Sequence, residues 1–256
     1  MFTRAIVRTP GENFAEGVTT AGLGTPDYSK VIRQHTAYVR ALEACGLLVD
    51  ILEPDLAYPD STFVEDTAVM FGDQAVLARP GTPSRLGEVA AIRERIHSQM
   101  RNVSEIVAPG TLDGGDICEA DGHYFIGISH RTNEEGGRQL ASFLSSAGFK
   151  SSFVDIRGLR GILHLKSGIA HLGDKDLVVW DELAAFSQFE GSNFIRVSPE
   201  ERYAANCVRV NDYVIVAAGF PELVRRIEDA GYKPLALDVS EFRKMDGGLS
   251  CLSLRF

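Results

Sequence analysis

The sequence predicts an α/β protein built as a ring of five ββαβ modules, on three observations. Short hairpins recur along the chain, helical patterns fall between them, and the last hairpin lacks one strand, which the opening strand can supply. The hairpin turns centre near residues 72, 121, 174 and 211, about 49, 53 and 37 residues apart. Self-similarity at such a period is the mark of a repeated supersecondary unit.

Each hairpin has its own signal. Ala68 to Arg79 places two apolar strands around Gly72-Asp73, and Asp116 to Ile128 repeats the pattern around Asp121-Gly122. An Asp-Gly pair between apolar runs favours a two-residue turn because both central residues need positive φ. His164 to Trp180 turns at residues 173–176, and Cys207 to Ala218 turns at Asn211-Asp212. Asp27 is placed to cap a helix whose apolar residues include Val31, Ile32, Tyr38, Val39 and Leu42. A second helix is expected from Ser84 to about Met100, a third from Asn133 to Gly148, and a fourth from Pro221 to Gly231. Proline at the first position and glycine past the last suit helix ends. Apolar strands are expected after the helices, at Leu47–Leu52, Ile106–Ala108, Ser152–Ile156 and Pro234–Val239. Leu249–Phe256 reads as a half hairpin that pairs with Ala5–Arg8 and closes the ring. No linker-like stretch divides the chain, so residues 1–256 are expected to form one domain.

Composition narrows the function. The chain has 256 residues, 45% hydrophobic and 24% charged, with a formal net charge of -9 and a pI near 5.2. An acidic chain without basic runs disfavours nucleic acid and anionic membrane as partners and suits a small cationic one. No segment approaches the roughly 20 apolar residues of a membrane span. The N-terminal segment reads as a strand with no apolar signal core, and Cys45, Cys118, Cys207 and Cys251 lack C-x-x-C spacing. Reduced thiols in the cytoplasm are therefore the expectation.

Polar residues gather just ahead of the hairpins: Asp60 to Asp66, Gly110 to Asp116, His164 to Ser167, and Lys244 to Cys251. With modules in a common orientation, all four groups face one end of the ring. Taken singly, each has a plain explanation: Cys251 as a buried inert thiol, His164 as structural, Asp113 and Asp116 as turn residues. Arg85 and Arg131 read alone as surface residues. Together, a cysteine, a histidine and a carboxylate form a nucleophilic set, and Gly247 and Gly248 let a substrate approach Cys251. Asp60, Glu65 and Asp66, interleaved with Phe63 and Val64, are costly to bury unless a cation joins them. Arg85 and Arg131 could grip a carboxylate. The thiol needs a lowered pKa to react, from protonated His164 or from a bound cation.

These residues resemble the dimethylarginine dimethylaminohydrolases of the guanidine-modifying, or pentein, superfamily. The resemblance covers nearly the whole chain and is carried by Phe63-Val-Glu-Asp66, Arg79-Pro-Gly-Thr-Pro-Ser-Arg85, Leu112-Asp-Gly-Gly-Asp116, Arg131-Thr-Asn133, His164-Leu-Lys-Ser167, Ala204-Ala-Asn-Cys207 and Asp246-Gly-Gly-Leu-Ser-Cys251. It implies a five-bladed α/β propeller with pseudo-five-fold symmetry, no metal and no cofactor. Cys251 matches the nucleophile, His164 the general acid–base, and Asp113 the acid that orients the histidine, where some relatives carry glutamate. Asp66 matches the carboxylate that holds the guanidinium, with Glu65, Asp60 and Phe63 beside it. Arg85 and Arg131 match the binders of the substrate α-carboxylate. Asp246 and the Met245 backbone match the α-amino site, and Val18 stands where relatives place a leucine on a mobile lid.

The implied reaction converts Nω,Nω-dimethyl-L-arginine, and its monomethyl analogue, to L-citrulline and an amine through a covalent thiouronium. The implied partner is a cationic amino acid, with no nucleic acid or membrane; a homodimer is compatible with the chain. An arginine deiminase-type hydrolase is the nearest alternative, but such relatives are longer and carry a helical insertion. A non-catalytic pentein binding protein is the other, and it does not need Cys251, His164 and Asp113.

Overall fold

The computed structural model describes residues 1–256. Five three-stranded sheets are arranged as blades. The strands are β1 (Arg4–Arg8), β2 (Leu48–Leu52), β3 (Ala68–Phe71), β4 (Gln74–Leu77), β5 (Asn102–Glu105), β6 (Ile117–Ala120), β7 (His123–Ile128) and β8 (Lys150–Asp155). The remainder are β9 (Ile169–Gly173), β10 (Asp176–Val179), β11 (Asn193–Arg196), β12 (Val208–Val210), β13 (Tyr213–Ala217), β14 (Lys233–Leu237) and β15 (Leu254–Arg255). Four blades each hold a hairpin and a parallel outer strand: β3-β4-β5, β6-β7-β8, β9-β10-β11 and β12-β13-β14. The fifth is β15-β1-β2, in which β1 pairs antiparallel with β15 and parallel with β2. The ring closes through both chain ends, as expected.

Helices cross between middle and outer strands. They are α1 (Tyr28–Ala44), α2 (Glu88–Gln99), α3 (Glu134–Ser146), the single-turn α4 (Asp181–Ala184) and α5 (Pro221–Asp229), with a short α6 (Ser240–Arg243) ahead of the last module. Asp27 caps α1 by accepting from the Lys30 amide at 3.1 Å, and Asn133 caps α3 by accepting from Gly136 at 2.8 Å. At the second hairpin Asp121 and Gly122 have φ of 50° and 79°, the primed turn their sequence demands.

Three details depart from expectation. The second outer strand is the polar Asn102–Glu105, not Ile106–Ala108; Ile106 is buried just beyond it. The module of the third hairpin, β9-β10-β11, shrinks its helix to the single turn α4, which explains its shorter period. Cys251 sits not in a strand but in a 3₁₀ turn, Ser250–Leu252, ahead of β15.

That turn has four counterparts. A 3₁₀ turn precedes the inner strand of every blade: Val64–Thr67, Gly114–Asp116, Leu165–Ser167, Pro199–Ala205 and Ser250–Leu252. Side chains tie each turn to the next around the ring. Asp66 Oδ1 accepts from the Gly115 amide at 2.9 Å, and Asp116 Oδ1 accepts from Leu165 at 3.0 Å. Asn206 donates to the Lys166 carbonyl at 2.8 Å and accepts from the Ser250 amide at 2.8 Å. Ser250 closes the circuit by donating to Glu65 Oε2 at 2.7 Å. Five bonded turns fix one end of the ring, where the polar groups lie.

Candidate active site

Cys251 is partly buried, and the Gly248 amide donates to its Sγ at 3.4 Å. The two upstream glycines are required by close approach. A Cβ on Gly247 would lie 2.3 Å from the Phe63 ring, and one on Gly248 would lie 2.3 Å from Asn206 Oδ1. Burial pushes the Cys251 thiol up to about 12, with Glu65 and Asp66 adding to the rise. The unliganded protein therefore holds a neutral thiol.

His164 caps the third turn, and Nε2 lies 3.0 Å from Asp113 Oδ2. Asp113 is fully buried and its other oxygen accepts from the Gly81 amide at 2.8 Å, so its carboxylate is held in one orientation. Burial alone would lower the His164 pKa. The surrounding Asp66, Asp113 and Asp116 outweigh it and hold the imidazole at about 9. At neutral pH His164 is an imidazolium, poised to give a proton.

Asp66 takes Gly115 on one oxygen and Arg85 Nη1 on the other, at 2.6 Å. Its burial opposes ionisation, but His164 and Arg85 hold it ionised with a pKa of about 2. Asp60 accepts from the Val18 amide at 3.0 Å. Asp246, at φ 58°, accepts from the Thr20 amide at 2.5 Å and its hydroxyl at 3.0 Å. Both carboxylates thus pin the segment that carries Val18, whose side chain is exposed.

Ten of the twelve residues predicted from sequence border one small cavity of about 30 Å³: Cys251, His164, Val18, Asp60, Phe63, Asp66, Arg85, Arg131, Met245 and Asp246. Asp113 stands behind His164. Glu65 does not border this cavity. It faces the opposite side, where it pairs with Lys166 Nζ at 2.6 Å, accepts from Ser250 and lies 3.6 Å from Arg255. There it closes the floor of a separate central channel of about 710 Å³. The channel is larger, yet it holds neither Cys251 nor His164.

The two arginines also divide. Arg85 is buried and largely committed: Nε and Nη2 bond Glu88, Nη1 bonds Asp66, and Nη2 also meets the Phe63 carbonyl at 3.2 Å. Arg131 borders the cavity with 15% side-chain exposure, its Nη1 3.7 Å from Asp113 Oδ2. It is the freer of the two to meet a carboxylate. Glu88, Lys166, Ser250 and Asn206 support the site and were not foreseen. The Arg85-x-x-Glu88 spacing at a helix start was the readable signal for the first of them.

Asp66, Asp113 and His164 bring ligand atoms within 4.8 Å of one another, the geometry of a candidate cation site. Their atoms are already engaged by Arg85, Gly115, Gly81 and each other, which suits a hydrogen-bonded network better than a metal. No helix is long and apolar enough to cross a membrane.

No family model matches the chain. It is 43% identical over 257 residues to the N(G),N(G)-dimethylarginine dimethylaminohydrolase of Pseudomonas aeruginosa, covering 100% of both chains. A solved structure of that organism's enzyme, a cysteine-to-serine mutant complexed with citrulline, superimposes with a TM-score of 0.97 at 42% identity over the full length of both. Another dimethylarginine dimethylaminohydrolase structure, an adduct with S-methyl-L-thiocitrulline, matches with a TM-score of 0.96, also at 42% identity and full coverage.

Proposed function

We infer that this chain, which belongs to the dimethylarginine dimethylaminohydrolase family, hydrolyses Nω,Nω-dimethyl-L-arginine to L-citrulline and dimethylamine. The observation that carries the reading is the meeting of Cys251, His164 and Asp66 around one cavity, with Asp113 bonded to the histidine. An imidazolium and a neutral thiol are the resting pair. The cationic guanidinium docks against Asp66, offsets the negative charge that raises the thiol, and so favours thiolate formation as the thiol's proton passes to water. Holding the planar cation fixed also supplies orientation.

The Cys251 sulfur then forms a bond to the guanidinium carbon. The C–N bond to dimethylamine breaks as His164 gives its proton to the departing nitrogen. Neutral His164 takes a proton from water, and the resulting hydroxide attacks the thiouronium carbon. Collapse breaks the C–S bond, the hydroxyl proton passes to the departing sulfur, and citrulline is released. One residue serves as acid and then as base. Arg131 receives the substrate α-carboxylate, with Arg85 behind it, while Asp246 and the Met245 backbone receive the α-amino group and Asp60 stands beside Asp66. Asp113 keeps His164 oriented. Residues 1–256 act as one domain, needing no metal or cofactor for these steps.

The deciding experiment is a citrulline assay with arginine, monomethylarginine and asymmetric dimethylarginine in parallel. The methylated substrates should be turned over well and arginine poorly. Preferred turnover of arginine would reassign the chain to deiminase chemistry.

A further inference from the structure

Tyr203 lies outside the residues assigned above, on the fourth module's turn. Its hydroxyl donates to the Gly247 carbonyl at 2.9 Å. The N–H at the other end of that same peptide unit, on Gly248, donates to Cys251 Sγ at 3.4 Å. One peptide plane therefore joins the phenol to the thiol. A donor on the carbonyl draws density from the amide nitrogen and strengthens its N–H as a donor, the mutual polarisation of hydrogen-bonded chains. That strengthening matters most when the acceptor is charged, as the sulfur is at the moment of attack.

Two further contacts fit this use. The Arg243 guanidinium lies over the Tyr203 ring, 4.8 Å from its centroid. A cation on the ring face withdraws density and makes the hydroxyl a better donor. Burial raises the Tyr203 pKa, with Cys251 adding and Arg243 opposing, so the phenol keeps its proton. The neighbouring Asn206 clasps Ser250 through its amide and hydroxyl, so the turn beside the sulfur is held from the same module.

We propose that Tyr203 is a positioning residue for the nucleophile, fixing the Cys251 sulfur and steadying its anion through the Gly247–Gly248 peptide. The inference rests on Cys251 being the nucleophile. The charged groups it works among are Glu65 and Asp66, which oppose the anion, and Lys166, which favours it. His164, Arg131 and Asp246 border the same cavity, and Arg243 lies behind the ring.

The test follows the alkylation rate of Cys251 by iodoacetamide against pH in the free protein, alongside kcat and KM for asymmetric dimethylarginine. Tyr203→Phe should slow alkylation at fixed pH and lower kcat about five-fold, the size one hydrogen bond carries, with KM little changed. Replacement of Tyr203 by 3-fluorotyrosine, a more acidic phenol of nearly equal size, should speed alkylation instead. A tyrosine that served packing alone would move thermal stability and KM without shifting the alkylation profile in opposite directions. Wild-type alkylation and kcat in folded Tyr203→Phe would overturn the proposal, as would slower alkylation with 3-fluorotyrosine. An active Cys251→Ser variant would instead sink the nucleophile assignment, a separate outcome.

Discussion

A single oxygen of Asp113, Oδ2, lies 3.0 Å from His164 Nε2 and 3.7 Å from Arg131 Nη1. The group that orients the proton donor thus also faces the side chain assigned to the substrate carboxylate. Asp113→Asn removes the charge while keeping the shape. His164 should then titrate at lower pH, and the alkaline decline of kcat should move down with it. Turnover should fall about 100-fold or more, the usual scale of general acid–base assistance. An unmoved alkaline limb in a pH–rate profile would show that Asp113 does not act on His164.

Cys251→Ser should abolish citrulline formation while circular dichroism and the unfolding midpoint stay near wild type. A hydroxyl nearly matches the thiol in volume but gives no accessible anion. Cys45, Cys118 and Cys207 are all buried and away from the cavity, so their serine variants should keep the chemistry even where stability drops.

Asp66→Asn should separate reactivity from turnover. Asp66 holds the guanidinium in the proposed mechanism, so kcat should drop at least tenfold, while KM alone would change if it only bound. The same change removes one of the charges that raise the thiol. Iodoacetamide should therefore alkylate Cys251 faster in the variant than in wild type at pH 8. A variant slower in both assays would refute this electrostatic account.

The arginines should part company. Arg85→Ala strands buried Asp66 and Glu88 and should cost about 3–5 kcal/mol in urea unfolding. Arg131→Lys should leave stability within about 1 kcal/mol, as partly exposed pairs do, yet raise KM because an ammonium lacks the planar fork. Agmatine, which has no carboxylate, should be nearly inert. Equal kcat/KM for dimethylarginine and its decarboxylated analogue would return Arg131 to a surface role.

Unliganded stability should decline from mildly acid to alkaline pH. Four buried acid or imidazole groups have folded pKa values above their ordinary ones: Glu88 at about 7, Asp116 at about 6 and Asp60, all raised by burial, and His164 at about 9, raised by its carboxylate neighbours. Each binds its proton more tightly when folded, so its contribution is full below the unfolded pKa and is lost as pH rises through the folded one. The loss runs from about pH 4 to 9, and Asp66, with its lowered pKa, adds an opposite loss below about pH 4. Urea midpoints should rank pH 4.5 above 7 above 9, and Glu88→Gln should flatten the portion between 4.5 and 7. A flat wild-type profile would contradict these pKa values.

The ring of modules was readable because hairpins and helix caps are local signals. Asp121-Gly122, Asp27 and Asn133 each fix their turn or cap with their own atoms. Asn102–Glu105 escaped because an outer edge strand buries little, so apolar Ile106 next to it gave the stronger but misleading pattern. The site was legible as a set of residue types and opaque in its facing. At three residues per turn, neighbours point about 120° apart. Glu65 and Asp66 consequently serve opposite sides of the ring floor. Nothing in Phe63-Val-Glu-Asp66 distinguishes them, and the partners that do, Lys166 and Arg85, lie 101 and 19 residues away.

Amide protons in turns usually exchange early, because turns open without disturbing the rest of a fold. The five 3₁₀ turns are built otherwise, since the amides of Gly115, Leu165 and Ser250 are held by side chains of the preceding module. Releasing any of these protons requires two blades to part. Exchange at those three amides therefore reports separation between modules rather than local fraying. Their protection should resemble that of the inner strands, and should fail at the same denaturant concentration at which catalysis is lost.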